Sequence, residues 1–484
     1  MGLLGIFVGL GLLIWLSYRG WSVLVLAPLA AIVAALFGGE PLLAHWTQTF
    51  MGSAATFLAQ FFPLFLLGAV FGKLMDDSGS VQTIAAFMTD TLGPKRAMLA
   101  VVLAGALVTY GGVSLFVDFF VLGPMAQALF RAANIPARLM PAAIALGTST
   151  FTMSALPGTP AIQNAIPMPF FGTTAFAAPG LGVIASAIML GFGMWWLRRA
   201  EGAARRKGEG YGAVTVDPQI EAADDPVVRE RASTAGSFDP AEIGHGEHGS
   251  GKPGVVVAFA PLIVVVVVNL LMALLVLPRL DTSYLAEERF GAIGLANVGG
   301  VWAVLVALAC AIMVLVALNW SRLPSLRATI DAGANAAVLP VVSVASLVGF
   351  GAVVAAMPAF EAVRDWVLGI GGGPLVSLAL STNILAALTG SASGGLTIAL
   401  DALGSTYMQL AATLNIDPAL MHRVAVIGAG TLDSLPHNGA VVTLLAVCGC
   451  KHGESYLDIV MVGIVGALVA LVAVIVLGSS FGSF

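Results

Sequence analysis

The sequence predicts an all-α polytopic membrane protein built from two inverted-topology repeats, with about 10–12 transmembrane helices, two re-entrant hairpins and two broken helices. Three observations carry that prediction. The 484 residues are 58% hydrophobic and only 10% charged, whereas about a quarter of a soluble domain is charged. Apolar stretches approaching or exceeding the roughly 20 residues of a spanning helix recur along the chain, at 2–17, 21–37, 55–72, 178–197, 254–277, 293–318, 333–356 and 456–478. Finally, a motif in the first half returns in the second half at a nearly constant offset.

The opening stretch has no basic flank and no small-residue cleavage site, so it reads as a retained first transmembrane helix rather than a removable signal. Residues 96–109 and 115–130 are apolar but short of the roughly 30 Å hydrocarbon thickness. They are joined by Tyr110-Gly111-Gly112-Val113-Ser114, and their outer ends carry Lys95, Arg96 and Arg131. A hairpin over 96–131 that dips in from the cytoplasm satisfies both facts. A broken helix over 139–168 follows, where Ser154-Ala155-Leu156-Pro157-Gly158-Thr159-Pro160 carries two prolines. Each proline removes an N–H and clashes with the carbonyl four residues back.

Residues 199–252 open on Arg198, Arg199, Arg205, Arg206 and Lys207, then run through Gly, Ala, Asp and Glu with almost no large apolar residue. They are expected to form a flexible cytoplasmic linker between a first repeat, 1–198, and a second, 253–484. His245 and His248 read there as solvated loop residues, and no metal site is expected. With the linker inside, 17 of the 21 Lys and Arg fall on the cytoplasmic side, and Arg423, at a helix start, is the least comfortable exception. The second half carries a matching hairpin, 374–411, around Thr389-Gly390-Ser391-Ala392-Ser393-Gly394-Gly395, and a second broken helix, 420–448, around Asp433-Ser434-Leu435-Pro436-His437-Asn438-Gly439. Cys310, Cys448 and Cys450 are too few for a disulfide framework and read as packing residues.

The repeat ties these elements together. Asn134, Ile135, Leu139, Met140, Gly147 and Thr150 each recur 281 residues later, as Asn415, Ile416, Leu420, Met421, Gly428 and Thr431. Gly123 answers Gly404 at the same offset, and Pro94 answers Pro374 at 280. Because the first helix of one matched region runs out to in and its counterpart in to out, the repeats are inverted. Substrate and coupling ions then bind near the midplane, where hairpin tips and helix breaks converge.

Half-helix N-termini present free N–H groups to a carboxylate. Glycines let backbone approach a ligand, and hydroxyls donate to it. The expected substrate contacts are therefore Tyr110, Gly111, Gly112, Ser114, Ser154, Gly158, Thr159 and Asn164 in the first half. In the second they are Thr389, Gly390, Ser391, Ser393, Ser434, His437 and Asn438. Ionisable residues in apolar segments are costly unless they work or are paired. Asp433 is the first candidate for binding the coupling ion, followed by His437 and Asp118, the last equally readable as a structural partner. Gly390-Ser391-Ala392-Ser393-Gly394 superficially resembles a nucleophile loop, but its spacing does not give Gly-x-Ser-Gly, and no His-Glu-x-x-His or paired-aspartate motif appears, which disfavours an intramembrane hydrolase. An anion channel has less need for two broken helices in one chain.

Gly72-Lys73-Leu74-Met75-Asp76-Asp77-Ser78-Gly79, the paired hairpins and the two break motifs resemble the gluconate permease (GntP-type) family, within a superfamily of carboxylate-moving ion transporters. The resemblance spans most of the chain outside 199–252. It implies a bacterial inner-membrane symporter of hydroxy acids driven by protons, or by sodium as the alternative. It also implies a scaffold and a transport domain in elevator-type motion, usually in a homodimer, with no cofactor and no nucleic-acid partner. The sugar-acid branch places a Pro-Pro-His-Pro-Gly-Pro-like run at the first break, which this chain lacks. Its second break looks more like members that carry short hydroxy-monocarboxylates such as 3-hydroxybutyrate.

Overall fold

The computed structural model describes residues 1–19, 21–212, 226–249 and 251–484; residues 213–225 and 250 of the expected linker lie outside this set. The described chain is helical throughout, with no strand. Seven of its helices are long and apolar enough to cross a membrane, or eight if one sharply bent pair counts as a span. Shorter apolar helices, among them Gly2–Ser17, Val23–Gly38, Pro374–Thr389 and Gly439–Cys448, account for the rest of the apolar chain. The protein is multi-pass, and its interruptions fall where proline and glycine leave the helical ladder unpaired.

Both hairpins form. The first consists of Ala97–Tyr110 and Leu115–Ala132, the second of Pro374–Thr389 and Ala392–Leu414. Leu115–Ala132, at 18 residues, reaches the length of a span, so the first hairpin has one short arm rather than two. That short arm meets Ser80–Leu92 at a bend of 100°. Both broken helices form too. In the first, Met140–Thr148 and Phe151–Ser154 are separated from Ile162–Ala165 and Pro167–Phe171 by irregular chain. In the second, Pro418–Thr431 ends in one tight turn, Leu432–Ser434, before Gly439–Cys448 resumes.

The sequence repeat has a backbone counterpart. Asn134 and Asn415 both take left-handed φ, 49° and 54°. Gly93 and Gly373, which open the two hairpins, share φ of 66° and 85° with ψ near 180°. Few residues other than glycine and asparagine adopt such angles at low cost. Packing repeats as well. A Cβ on Gly147 would lie 2.3 Å from the Val102 carbonyl oxygen, and one on Gly428 2.4 Å from Thr382 Oγ1. At both places the helix before the break presses on the first arm of its own hairpin. The second arms reach across instead: Gly123 faces Val447 of the second break's helix, and Gly404 faces Phe170 of the first. This exchange is reciprocal, as a pseudo-two-fold relation requires.

Around this unit, Met51–Asp77 lies along Leu326–Ala356, and Gly2–Tyr18 pairs with Val23–Gly38. Within the expected flexible linker the structure differs from the prediction. Residues 199–206 continue the helix Pro179–Arg206, and Glu209 is held by Arg138 Nε at 2.8 Å. Further on, the helix Pro226–Ala235 packs against Gly439–Cys448 and Leu326–Ala356. Ala232, Ala235 and Phe238 are buried in the main hydrophobic core. Small residues predominate in the segment because it passes through a narrow space: a Cβ on Gly236 would stand 2.0 Å from the Phe116 ring.

Candidate functional site

Each hairpin tip is hydrogen-bonded to the break of its own half. In the first half the Tyr110 hydroxyl donates to the Pro157 carbonyl at 2.8 Å. Gly158 takes a left-handed φ of 84°, and a Cβ there would run into Phe176. Its N–H donates to Ala175 O at 2.8 Å and its carbonyl accepts from Asn269. Ser114 Oγ, Asp118 Oδ1 and Gln163 Oε1 are buried without a hydrogen-bond partner among the described residues, which is costly unless something binds there. Asp118 is fully buried, and its other oxygen accepts from Thr109 Oγ1 at 2.6 Å. Thr109, Gly112, Ser114 and Gln163 line a cavity of about 50 Å³.

In the second half Asp433 Oδ1 accepts from the Ala392 N–H at 2.8 Å, at the N-terminus of the hairpin's second arm, and from Asn438 Nδ2 at 2.6 Å. Asn438 also donates to the Gly390 carbonyl, while its own oxygen caps Gly439–Cys448 through the Ala440 N–H. His437 Nε2 lies 3.0 Å from Ala387 O. Ser391 Oγ caps the second arm through the Gly394 N–H and lies 3.1 Å from Ser393 Oγ. Thr389, Gly390, His437 and Gly439 line a second cavity, of about 20 Å³.

Of the predicted contacts, Gly112 and Ser114 line the first cavity and Thr389, Gly390 and His437 the second. Some predicted contacts lie elsewhere. A Cβ on Gly111 would meet Leu262, so this glycine serves helix packing. Ser154 Oγ is turned back onto the Thr150 carbonyl. Ser434 lies beneath Gly463. Thr159 is fully buried, with its carbonyl taken by Asn164. Asn164 Oδ1 in turn faces His422 Nε2 at 3.1 Å and Arg423 Nη1 at 3.4 Å, making it a brace between halves.

Sequence reasoning missed two groups. Arg423 is completely buried and donates to Ala177 O at 2.7 Å and Ser154 O at 3.1 Å, satisfying carbonyls freed by the first break. Its position was explicable only through a partner 246 residues away. Lys73, Asp76 and Asp77 form a buried network: Lys73 Nζ donates to Asp77 at 2.8 Å and to the Ile243 carbonyl at 2.8 Å. The i,i+4 spacing of Lys73 and Asp77 was the readable signal. His248 is no solvated filler, since its Nε2 stands 3.4 Å from Asp76. Asp76, Asp77 and His248 are close enough to share a metal ion. However, the carboxylate oxygens are already engaged by Lys73, Thr329, Gln82 and His248.

Residues 1–173 match the family described as GntP family permease. Over 483 residues, 98% of each chain, the sequence is 40% identical to the uncharacterized transporter YxjC of Bacillus subtilis (strain 168). The chain belongs to the GntP permease family. Among solved structures, the YdaH transporter of Alcanivorax borkumensis aligns with a TM-score of 0.55 over 91% of this chain and 89% of its own, at 15% identity. It shares the fold, and no more follows at that identity. As a GntP permease, the chain is a membrane transporter.

Proposed function

We propose that this permease is a secondary active transporter that carries a small hydroxy-monocarboxylate, 3-hydroxybutyrate-like or gluconate-like, in symport with a proton. The observation that supports this most directly is Asp433, a carboxylate in a helix break, tied to a hairpin tip and to the cap of the resuming helix. Among the described residues both of its hydrogen bonds fall on Oδ1, leaving Oδ2 to take up and release a proton. Protonation weakens its hold on the Ala392 N–H and on Asn438, and Asn438 in turn holds Gly390. Loading the coupling ion would therefore reshape the tip against which the anion binds. The Ser114 hydroxyl at the start of Leu115–Ala132 and the Gln163 amide beside the first break suit a carboxylate and a hydroxyl.

The Arg198–Lys207 cluster supports placing its side in the cytoplasm and the protein in a bacterial inner membrane. The hairpins and broken helices form the moving transport domain of an elevator-type homodimer, and the helices 51–77 and 326–356 belong to its scaffold.

The test is uptake into proteoliposomes of labelled 3-hydroxybutyrate, gluconate and related acids under an imposed proton or sodium gradient. Concentrative uptake driven by the proton gradient, lost in Asp433→Asn with the protein still folded, supports the assignment. Unchanged concentrative uptake by Asp433→Asn removes this residue from coupling, and accumulation under a sodium gradient alone identifies sodium as the coupled ion.

A further inference from the structure

The space between the two candidate cavities is filled by the protein's own connecting segment. Gly236 and Ser237 line the first cavity beside Ser114 and Gln163. One helical turn earlier, Arg231 and Thr234 line the second beside Gly390 and His437. The contact is backbone-close at both ends. A Cβ on Gly439 would stand 1.9 Å from the Arg231 carbonyl, and a Cβ on Gly236 would stand 2.0 Å from the Phe116 ring.

With the segment in place the cavities measure about 50 and 20 Å³, and a single water needs roughly 10–15 Å³ of such space. A few waters fit, and an organic acid of four or more carbons does not. On its other side the segment is fastened to helices outside the hairpin unit. Glu230 accepts from the Val23 N–H at 2.9 Å, the Asp239 N–H donates to Ala336 O at 2.8 Å, and Lys73 holds the Ile243 carbonyl. Arg229 closes the helix onto its own turn through Asp239 at 2.6 Å. The fit is imperfect: Ser233 Oγ is buried with no hydrogen-bond partner among the described residues, a cost that favours release.

We propose that residues 229–239 are a built-in plug that occupies the anion site in this conformation, so that plug and transported anion exclude each other. This rests on the site proposed above. By bridging helices 23–38 and 326–356 to the hairpin unit, the plug also locks the two together, and translocation requires it to leave.

The experiment uses the full chain with its three cysteines replaced and Ala232→Cys added. Labelling by a maleimide is followed in detergent with and without 3-hydroxybutyrate or gluconate, beside uptake of both acids in proteoliposomes. Ala232 is fully buried, so labelling is expected to be slow without ligand and at least several-fold faster with whichever acid is taken up. Adding Gly236→Val, which drives a side chain into Phe116, is expected to give fast labelling without ligand and a lowered KM for uptake. Should that variant not fold, Arg229→Ala loosens the same segment and is expected to act likewise.

An acid that is transported while Ala232→Cys labelling stays slow overturns the plug. So does protection that persists in both loosened variants, or rapid labelling in them with KM unchanged. Normal affinity in Gly390→Val would refute the site itself, a failure separable from these because it is read from binding to that variant and not from the labelling of Ala232→Cys in the loosened variants.

Discussion

At the scale of single residues, the most consequential side chain is one the sequence made look misplaced. Arg423 carries a charge with no carboxylate bonded to it among the described residues, yet its guanidinium serves two main-chain carbonyls and the Asn164 amide oxygen. Arg423→Leu would strand those acceptors, at about 1–3 kcal/mol each. The expected outcome is a large drop in the thermal midpoint of the detergent-purified protein, with Arg423→Lys intermediate because a lysine lacks the planar fork.

His248 makes a pH-dependent contact outside the apolar spans. Its hydrogen bond to Asp76, with the charges of Asp76 and Asp77, holds its pKa above the ordinary histidine value against burial and the Lys73 cation. A raised folded-state pKa means that the stabilisation is complete below about 6.5 and is lost as pH rises through the raised value. Proteolysis of the 226–249 segment should therefore accelerate between mildly acidic and mildly alkaline pH, and His248→Ala should flatten that dependence.

At the scale of elements, glycine spacing decides how the half-helices seat. Gly147 and Gly428 occupy equivalent places in the repeat, and both press a helix onto the first arm of a hairpin at distances no Cβ tolerates. Overpacking of this kind costs about 1–3 kcal/mol. Gly147→Ala has the harder clash, because a carbonyl oxygen and Cα of Val102 stand in the way, whereas Gly428→Ala meets the movable Thr382 hydroxyl first. Both variants should lose thermal stability, Gly147→Ala more, and equal stabilities would show that the arms can separate freely. The tip glycines differ in kind. Gly158 and Gly390 hold φ of 84° and 65°, so bulky substitutions there strain the backbone as well as fill the site, and both should lose substrate binding by isothermal titration.

At the scale of the whole molecule, reciprocal packing of the two halves makes one unit of both hairpins and both breaks, and the proposed site lies within it. A carrier saturates and follows the driving gradient, whereas a channel conducts without saturation. Uptake by the reconstituted protein should saturate and collapse when a protonophore dissipates the proton gradient. Unsaturated conductance in planar bilayers would instead favour a pore.

How much of this was legible follows from what kind of force sets each feature. Hydrophobic run length and proline positions act locally, so the helical class, the hairpins and both breaks could be read directly, and Asn134 and Asn415 marked the repeat because a left-handed residue is a local demand. The pairing of hairpin tip with break was readable in outline from the clustering of Ser, Thr, Asn and Asp. The sequence could not say that Gly111 packs on Leu262, that Ser154 turns inward, or that Arg423 finds carbonyls 246 and 269 residues away, since burial and pairing are set by chain neighbours distant in sequence. The polar segment after Arg206 shows the same divide. By composition it could only be a solvated linker, because its small residues bury little apolar area. Tertiary structure alone provides a cleft narrow enough for Ala232, Gly236 and Phe238 to fill, and so decides what stands between the two halves of the candidate site.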